Sequence, residues 1–245
     1  MTTNKILKNN FPNAVIVSDD IYPQSEAKLK NLGIKVFYSF NNKRVMKGLS
    51  KHPDMQLVCV ENKKYVCAPE CYNHYKDYFK KLRLELVCGN TYLSSNYPAD
   101  IAYNIIVNGK YAIHNFKHTD SVVKSCLKSK ELINVAQGYT HCCVCCLSDN
   151  CYITADMGVK AALEKAGCDV LTIDSGHILL PEFDVGFIGG SAFMISESHL
   201  AVNGNINYHP DAEKIKTFCE MHNINIISLS DNPIMDIGSC VPLYY

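Results

Sequence analysis

The sequence predicts an α/β fold: a five-bladed, pseudo-symmetric α/β propeller of strand–strand–helix–strand units, with residues 1–245 as a single domain closed by its own C-terminal strand. Three observations predict it. A pattern of apolar strand, tight polar turn, apolar strand, amphipathic helix and third strand recurs along the chain. The repeats start near residues 14, 55, 101, 142 and 185, about 41–46 residues apart, a period typical of arrays and propellers. The first repeat lacks its opening strand, and an apolar segment, DIGSCVPLYY, remains at the other end to supply it. A ring closed in that way leaves no exposed end strand. A doubly wound sheet would also alternate strands with helices. Tight hairpins ahead of each helix argue against it, because a hairpin makes an antiparallel pair.

The elements follow in order. The first unit holds AVIVSD, a helix over YPQSEAKLKNLG and the strand IKVFYS. The second has DMQLVCV, the turn ENKK, YVCAP, then a helix over ECYNHYKDYFKKLR with Tyr72, Tyr75, Phe79 and Leu82 on one face, and LELVC. The third reads DIAYNIIV, NGK, YAIHN, a helix over TDSVVKSCLKS and LINVA. The fourth reads HCCVCCL, SDN, CYITA, a helix over DMGVKAALEKAG and DVLTI. The fifth reads DVGFIGGSAFMI, SES, HLAVNG, a helix over HPDAEKIKTFCEMHN and INIISL. Gly33 and Gly167 sit where helix-ending glycines belong, and Thr119 and Asp156 are candidate N-caps.

Bulk properties narrow the function classes. The 24 basic and 24 acidic residues balance, and no basic run marks a nucleic-acid surface. No stretch approaches the length of a membrane span, and the N-terminus lacks a signal-peptide core. The thirteen cysteines are therefore expected to be reduced thiols of a cytoplasmic protein, mostly buried as small hydrophobes. Neither nucleic acid nor membrane is expected as a partner, and oligomeric state is left open. In the run HCCVCC, strand alternation would turn Cys143 and Cys145 one way and Cys142 and Cys146 the other, so no metal site is expected there. The glycine pair of GFIGGS points to a bulge or a close backbone approach to a ligand.

Five such units around an axis resemble the pentein superfamily, the guanidine-group-modifying enzymes that include deiminases, dimethylarginine hydrolases and amidinotransferases. The superfamily also contains translation initiation factor 6, a non-enzyme. The segments GFIGG, HPDAEKI and DIGSCVPL resemble more closely a family of short bacterial penteins, a likeness that supplies no activity. The resemblance implies a cysteine-dependent hydrolase or transferase acting on a small guanidine-like or amidine-like cation in the axial channel, without a cofactor. The alternative it leaves open is a non-catalytic binding or assembly protein. Paired carboxylates match a planar guanidinium in charge and geometry, and a thiolate is the required nucleophile.

Carried over residue by residue, the likeness makes Cys240 the candidate nucleophile, or else a buried small residue on the closing strand. Asp54, Asp100 and Asp184 precede the first strands of three units and are candidate substrate carboxylates, or else turn residues. Asp54 fits best. Two positions depart from the enzymes. Asn96, Tyr97 and Pro98 stand where an acidic residue is common, and Thr140 rather than His141 aligns with the general base. One residue of register reverses a side chain's face, so Thr140 is kept as a substrate-binding candidate and His141 as the candidate base. The His-Pro-Asp triplet occurs at His52 and at His209, where a structural role is expected; no role is assigned to His114.

Overall fold

The computed structural model describes residues 11–245. Five three-stranded sheets form, one per unit. The first blade holds β1 (Ala14–Val17), α1 (Pro23–Asn31) and β2 (Lys35–Tyr38). The second holds β3 (Leu57–Glu61), β4 (Lys64–Cys67), α2 (Tyr72–Leu82) and β5 (Glu85–Cys88). The third holds β6 (Ile106–Val107), β7 (Tyr111–His114), α3 (Ser121–Cys126) and β8 (Glu131–Asn134). The fourth opens with a helical turn, α4 (Thr140–Cys143), followed by β9 (Val144–Ser148), β10 (Cys151–Thr154), α5 (Met157–Lys165) and β11 (Asp169–Thr172). The fifth opens likewise with α6 (Ile188–Ser191), then β12 (Ala192–Ser196), β13 (His199–Val202), α7 (Ala212–Met221) and β14 (Asn225–Ser228).

The last strand, β15 (Val241–Leu243), returns to the first blade and pairs antiparallel with β1, placing Ala14 opposite Leu243 and Ile16 opposite Val241. Every blade then has one pattern: an antiparallel first pair and a parallel second pair bridged by the helix. The middle strands β1, β4, β7, β10 and β13 are flanked on both edges, and their apolar runs are almost wholly buried. The first strands meet around the axis, β3 against β6 and β15, and β9 against β12. Residues of all five line one cavity of about 280 Å³. That cavity is the lumen of the ring.

The amphipathic face expected of α2 packs inward. Tyr75 and Phe79 are buried, and Tyr72 and Leu82 cover the same core. Gly33 and Gly167 end their helices at φ +84° and +83°, a left-handed conformation in which glycine carries no Cβ penalty. Asp156 caps α5 by accepting from Val159 N at 2.9 Å. At α3 the cap falls one residue later than expected. Asp120, not Thr119, accepts from Val122 N and Val123 N.

Three segments expected as strand are not. DIAYNIIV keeps only Ile106–Val107 as β6. THCC and IGGS coil into the turns α4 and α6, which pack against each other, and the strands begin only at Val144 and Ala192. The alternation expected for the cysteine run therefore fails at its first half. Cys142 and Cys143 belong to the turn, and only Cys145 and Cys146 to the strand.

His114, at the end of β7, is fully buried. Thr119 Oγ1 donates to its Nδ1 at 2.6 Å, and its Nε2 donates to Gly138 O at 3.2 Å, so both nitrogens are satisfied by the neutral ring. Burial pushes its pKa from 6.5 down to about 4. The unfolded chain therefore takes up a proton that the fold refuses. Stability is intact above pH 6.5 and is expected to fall by up to about 3 kcal/mol as pH drops towards 4. Urea unfolding across that range reads the slope, and His114→Gln should flatten it.

Candidate functional site

At the end of the ring where the chain enters the inner strands, four units send polar side chains inward. His52 and Asp54 come from the short turn ahead of β3, and proline at 53 fixes the entry of that turn. His141 and Cys142 come from α4, Asn104 from the irregular stretch before β6, and Asp236 from the loop before β15. His52, Asp54, Cys142 and Asp236 are all buried, while His141 is partly exposed.

The contacts tie these units together. Cys142 Sγ donates to Asp54 Oδ2 at 2.9 Å. His141 Nδ1 lies 3.5 Å from the same oxygen. Asn104 spans the group, with Nδ2 donating to Cys142 Sγ at 3.1 Å and Oδ1 accepting from His141 N at 2.8 Å. Asp54 N donates to Gly238 O at 3.2 Å, which joins the second unit to the closing loop. Asp236 accepts from Phe187 N and Gly238 N, each at 2.9 Å, and its Oδ1 lies 4.0 Å from His52 Nδ1. Gly190 makes room for it, since a Cβ there would lie 1.9 Å from Asp236 Oδ1. The glycine pair does make a close approach, but to a carboxylate of the chain itself rather than to a ligand.

The cluster is rich in polar atoms without partners. His52 Nδ1, Asp54 Oδ1 and His141 Nδ1 are buried and make no hydrogen bond among the described residues. An unpaired buried polar atom costs about 1–3 kcal/mol, and three such atoms lie together here. Two hollows reach it. A pocket of about 280 Å³ presents His52, Cys142, Asp184 and Asp236 among the aromatic walls of Tyr139, Phe183 and Phe187. A larger hollow of about 820 Å³ also touches His52 and Asp236.

Electrostatics divides the groups. For Asp54, burial pushes the pKa up, but His141, then His52 and Cys142, outweigh it and hold the carboxyl below its ordinary value. Asp236 moves the other way. Its burial dominates, the charge of Asp54 adds to it, and the pKa is raised. Burial, then the charges of Asp54 and Asp236, hold the Cys142 thiol well above its ordinary value.

The residues singled out from sequence fall in different places. Asp54 and His141 lie at the cluster. Asp184 is exposed at the rim of the aromatic pocket. Asp100 is buried one layer behind, accepting from Tyr139 Oη at 2.6 Å, with its other oxygen unpaired. Thr140 is buried, and its hydroxyl donates to Gln137 O at 2.9 Å, inside the turn rather than toward a pocket. Cys240 lies on the lumen side, buried among Val15, Val17, Phe193 and Ile195. Burial alone raises its pKa, and no hydrogen bond to its thiol is formed. His52, Cys142, Asn104 and Asp236 were not read as site residues. The first His-Pro-Asp triplet and the Asp-x-Gly ahead of the closing strand were the available signals.

A family model described as Family of unknown function (DUF6873) matches residues 16–241. The chain belongs to that family. No curated protein matches it. Solved structures share its fold at low identity. An agmatine deiminase of C. jejuni is similar at 14% identity and TM-score 0.59, over 96% of this chain and 94% of that one. SxtG, an amidinotransferase of saxitoxin biosynthesis from Microseira wollei, is similar at 10% and 0.56, over 89% and 88%. A mutant DDAH from Pseudomonas aeruginosa complexed with citrulline is similar at 7% and 0.53, over 93% of each chain. The fold of this family member is thus the pentein fold expected from the five repeats. No helix among the described residues is long and apolar enough to cross a membrane.

Proposed function

We propose that the chain is a cysteine-dependent hydrolase or transferase acting on a small guanidine-like or amidine-like cation, with the thiol of Cys142 rather than Cys240 as nucleophile. The observation that carries this reading is the Cys142–Asp54 hydrogen bond at the floor of an aromatic-walled pocket, beside unpartnered atoms of two histidines. Cys240 lies in an apolar cluster with Val15, Val17, Phe193 and Ile195, and its sulfur makes no hydrogen bond among the described residues. The pocket suits a planar cation. Asp236 and Asp184 supply negative charge, and Tyr139, Phe183 and Phe187 supply ring faces. The proteins of similar fold include an amidinotransferase and an agmatine deiminase.

The chemistry follows from the charges. A bound cation offsets the two carboxylates that keep Cys142 protonated. The thiol proton passes to Asp54 Oδ2, and the sulfur adds to the amidine carbon. The carbon–nitrogen bond then breaks, and the amine leaves with that proton. Water, or an acceptor amine in a transferase, adds to the resulting thiouronium carbon, and the sulfur departs as the thiol. His141 holds Asp54 ionised, Asp184 guides the substrate at the rim, and Asp100 positions Tyr139. Thr140 fixes the turn that presents Cys142.

A second reading, a binding protein on the same scaffold, draws on the raised pKa of the thiols at the axis. Incubation with a haloacetamidine, mapped by mass spectrometry over the thirteen cysteines, separates the two. Preferential labelling of Cys142, with turnover of some member of a guanidino-compound panel, is expected. Labelling of Cys240 instead returns the chemistry to the lumen, and absence of selective labelling and of turnover favours the binding protein.

A further inference from the structure

We infer that His52, Asp54 and Cys142 form a binding site for one zinc-class divalent cation. A ring nitrogen of His52, a carboxylate oxygen of Asp54 and Cys142 Sγ lie within 4.8 Å of one another, and all three residues are buried. They come from two units far apart in sequence, so only the folded ring brings them together.

The unsatisfied atoms point the same way. His52 is 3% exposed and Asp54 2%, yet His52 Nδ1 and Asp54 Oδ1 have no hydrogen-bond partner among the described residues. A cation that accepts lone pairs from both would remove that cost. Metal–ligand bonds of about 2.0–2.3 Å imply ligand separations of about 3.2–3.8 Å around a tetrahedral ion. The three groups need to close by no more than about an ångström to reach that range.

The donor set selects the metal. One imidazole, one thiolate and one carboxylate form a borderline-soft set, suited to zinc and its surrogates and unsuited to magnesium or calcium, which take oxygen ligands. Three protein ligands leave a fourth position, and His52 and Cys142 both face the aromatic-walled pocket. Such a site is open to a small molecule rather than sealed as a structural site. Strand alternation had ruled out a metal at the cysteine run. The helical turn α4 removes that objection, because it takes Cys142 out of the strand and sets it against the turn that carries His52 and Asp54.

Metal capture turns the Cys142 thiol into a bound thiolate and releases its proton. A zinc ion would therefore block the thiol chemistry proposed above. That consequence rests on the enzyme reading, whereas the metal site does not.

The test uses the full chain, stripped with a chelator and titrated with Co²⁺. One equivalent should saturate a thiolate-to-cobalt charge-transfer band, and Zn²⁺ should displace it. Cys142→Ser should abolish the band, and His52→Gln should weaken cobalt affinity by about 100-fold or more, since even outer contacts to metal ligands are worth 10–100-fold. Cys88→Ser, at an exposed cysteine, should change neither. No saturable band in the wild-type chain, or a band that survives in Cys142→Ser, overturns the site. Should Cys142→Ser misfold by circular dichroism, His52→Gln and Asp54→Asn carry the decision, and unchanged affinity in both overturns it. Haloacetamidine labelling separates the two proposals. Cobalt binding without selective labelling of Cys142 leaves the metal site standing and removes Cys142 as the nucleophile, and selective labelling without a cobalt band does the reverse.

Discussion

The Asp54→Asn variant is expected to lose about 100-fold in the rate at which a cationic haloacetamidine labels Cys142, in line with the 2–5 kcal/mol that follows removal of one member of a buried charge pair. A neutral iodoacetamide is expected to label the same cysteine faster. The opposite signs come from one cause. Asp54 attracts a cation into the pocket, and its charge adds to burial in raising the pKa of Cys142. Removing the charge weakens the clamp and frees the thiolate at once. Asparagine keeps the shape and can still accept from Sγ, so packing changes little. A variant that merely loosened the site would speed both reagents. Second-order rates for the two, each mapped to Cys142, give the check, and a parallel change in both contradicts the assigned role.

Gly189→Ala is expected to destabilise the protein by about 3 kcal/mol or more, the upper part of the range for overpacking in a core. A Cβ at Gly189 would lie 2.3 Å from His141 O and 2.4 Å from Val144 O. Both are main-chain atoms of the facing turn α4 and the start of β9, so no side chain can swing aside. Gly33→Ala provides the comparison. Its φ of +84° is left-handed, but a Cβ there meets nothing within 4 Å, so the expected cost is only the ~1–2 kcal/mol of the conformation itself. Urea midpoints of the two variants separate close approach from backbone strain. Because α4 carries Cys142, whatever folded Gly189→Ala protein remains should also label poorly with the amidine reagent.

The blades were legible in the sequence because each repeats a two-sided strand, a tight turn and an amphipathic helix, and each of these has its own period. Gly33, Gly167 and Asp156 marked helix ends for the same local reason. The turns α4 and α6 were not legible. A single helical turn of four residues is too short to show a 3.6-residue period, and THCC and IGGS continue directly into strand residues of the same apolar character. That hid the site as well. Asp54 could be found because it precedes a strand. Cys142 was one cysteine among thirteen, and its significance depends on a turn that sets it against Asp54. His52 and Asp236 are adjacent only in space. The first lies in the second unit and the other in the closing loop, and no pattern within one repeat links them.

The pairing of β1 with β15 sets an order of assembly. β1 emerges from the ribosome with the first blade, but its antiparallel neighbour β15 is made only after the other four blades. Blades two to five can each form from contiguous chain, while the first must wait with one edge unpaired. Contacts that span so much sequence are slow to form, and an unsatisfied strand edge is open to misassociation in the meantime. The loop that delivers Asp236 leads into β15. A nascent chain therefore carries Cys142 and Asp54 before it carries Asp236, and the pocket is completed only as the ring shuts. Maturation of the site and closure of the fold are one event, timed by the synthesis of β15.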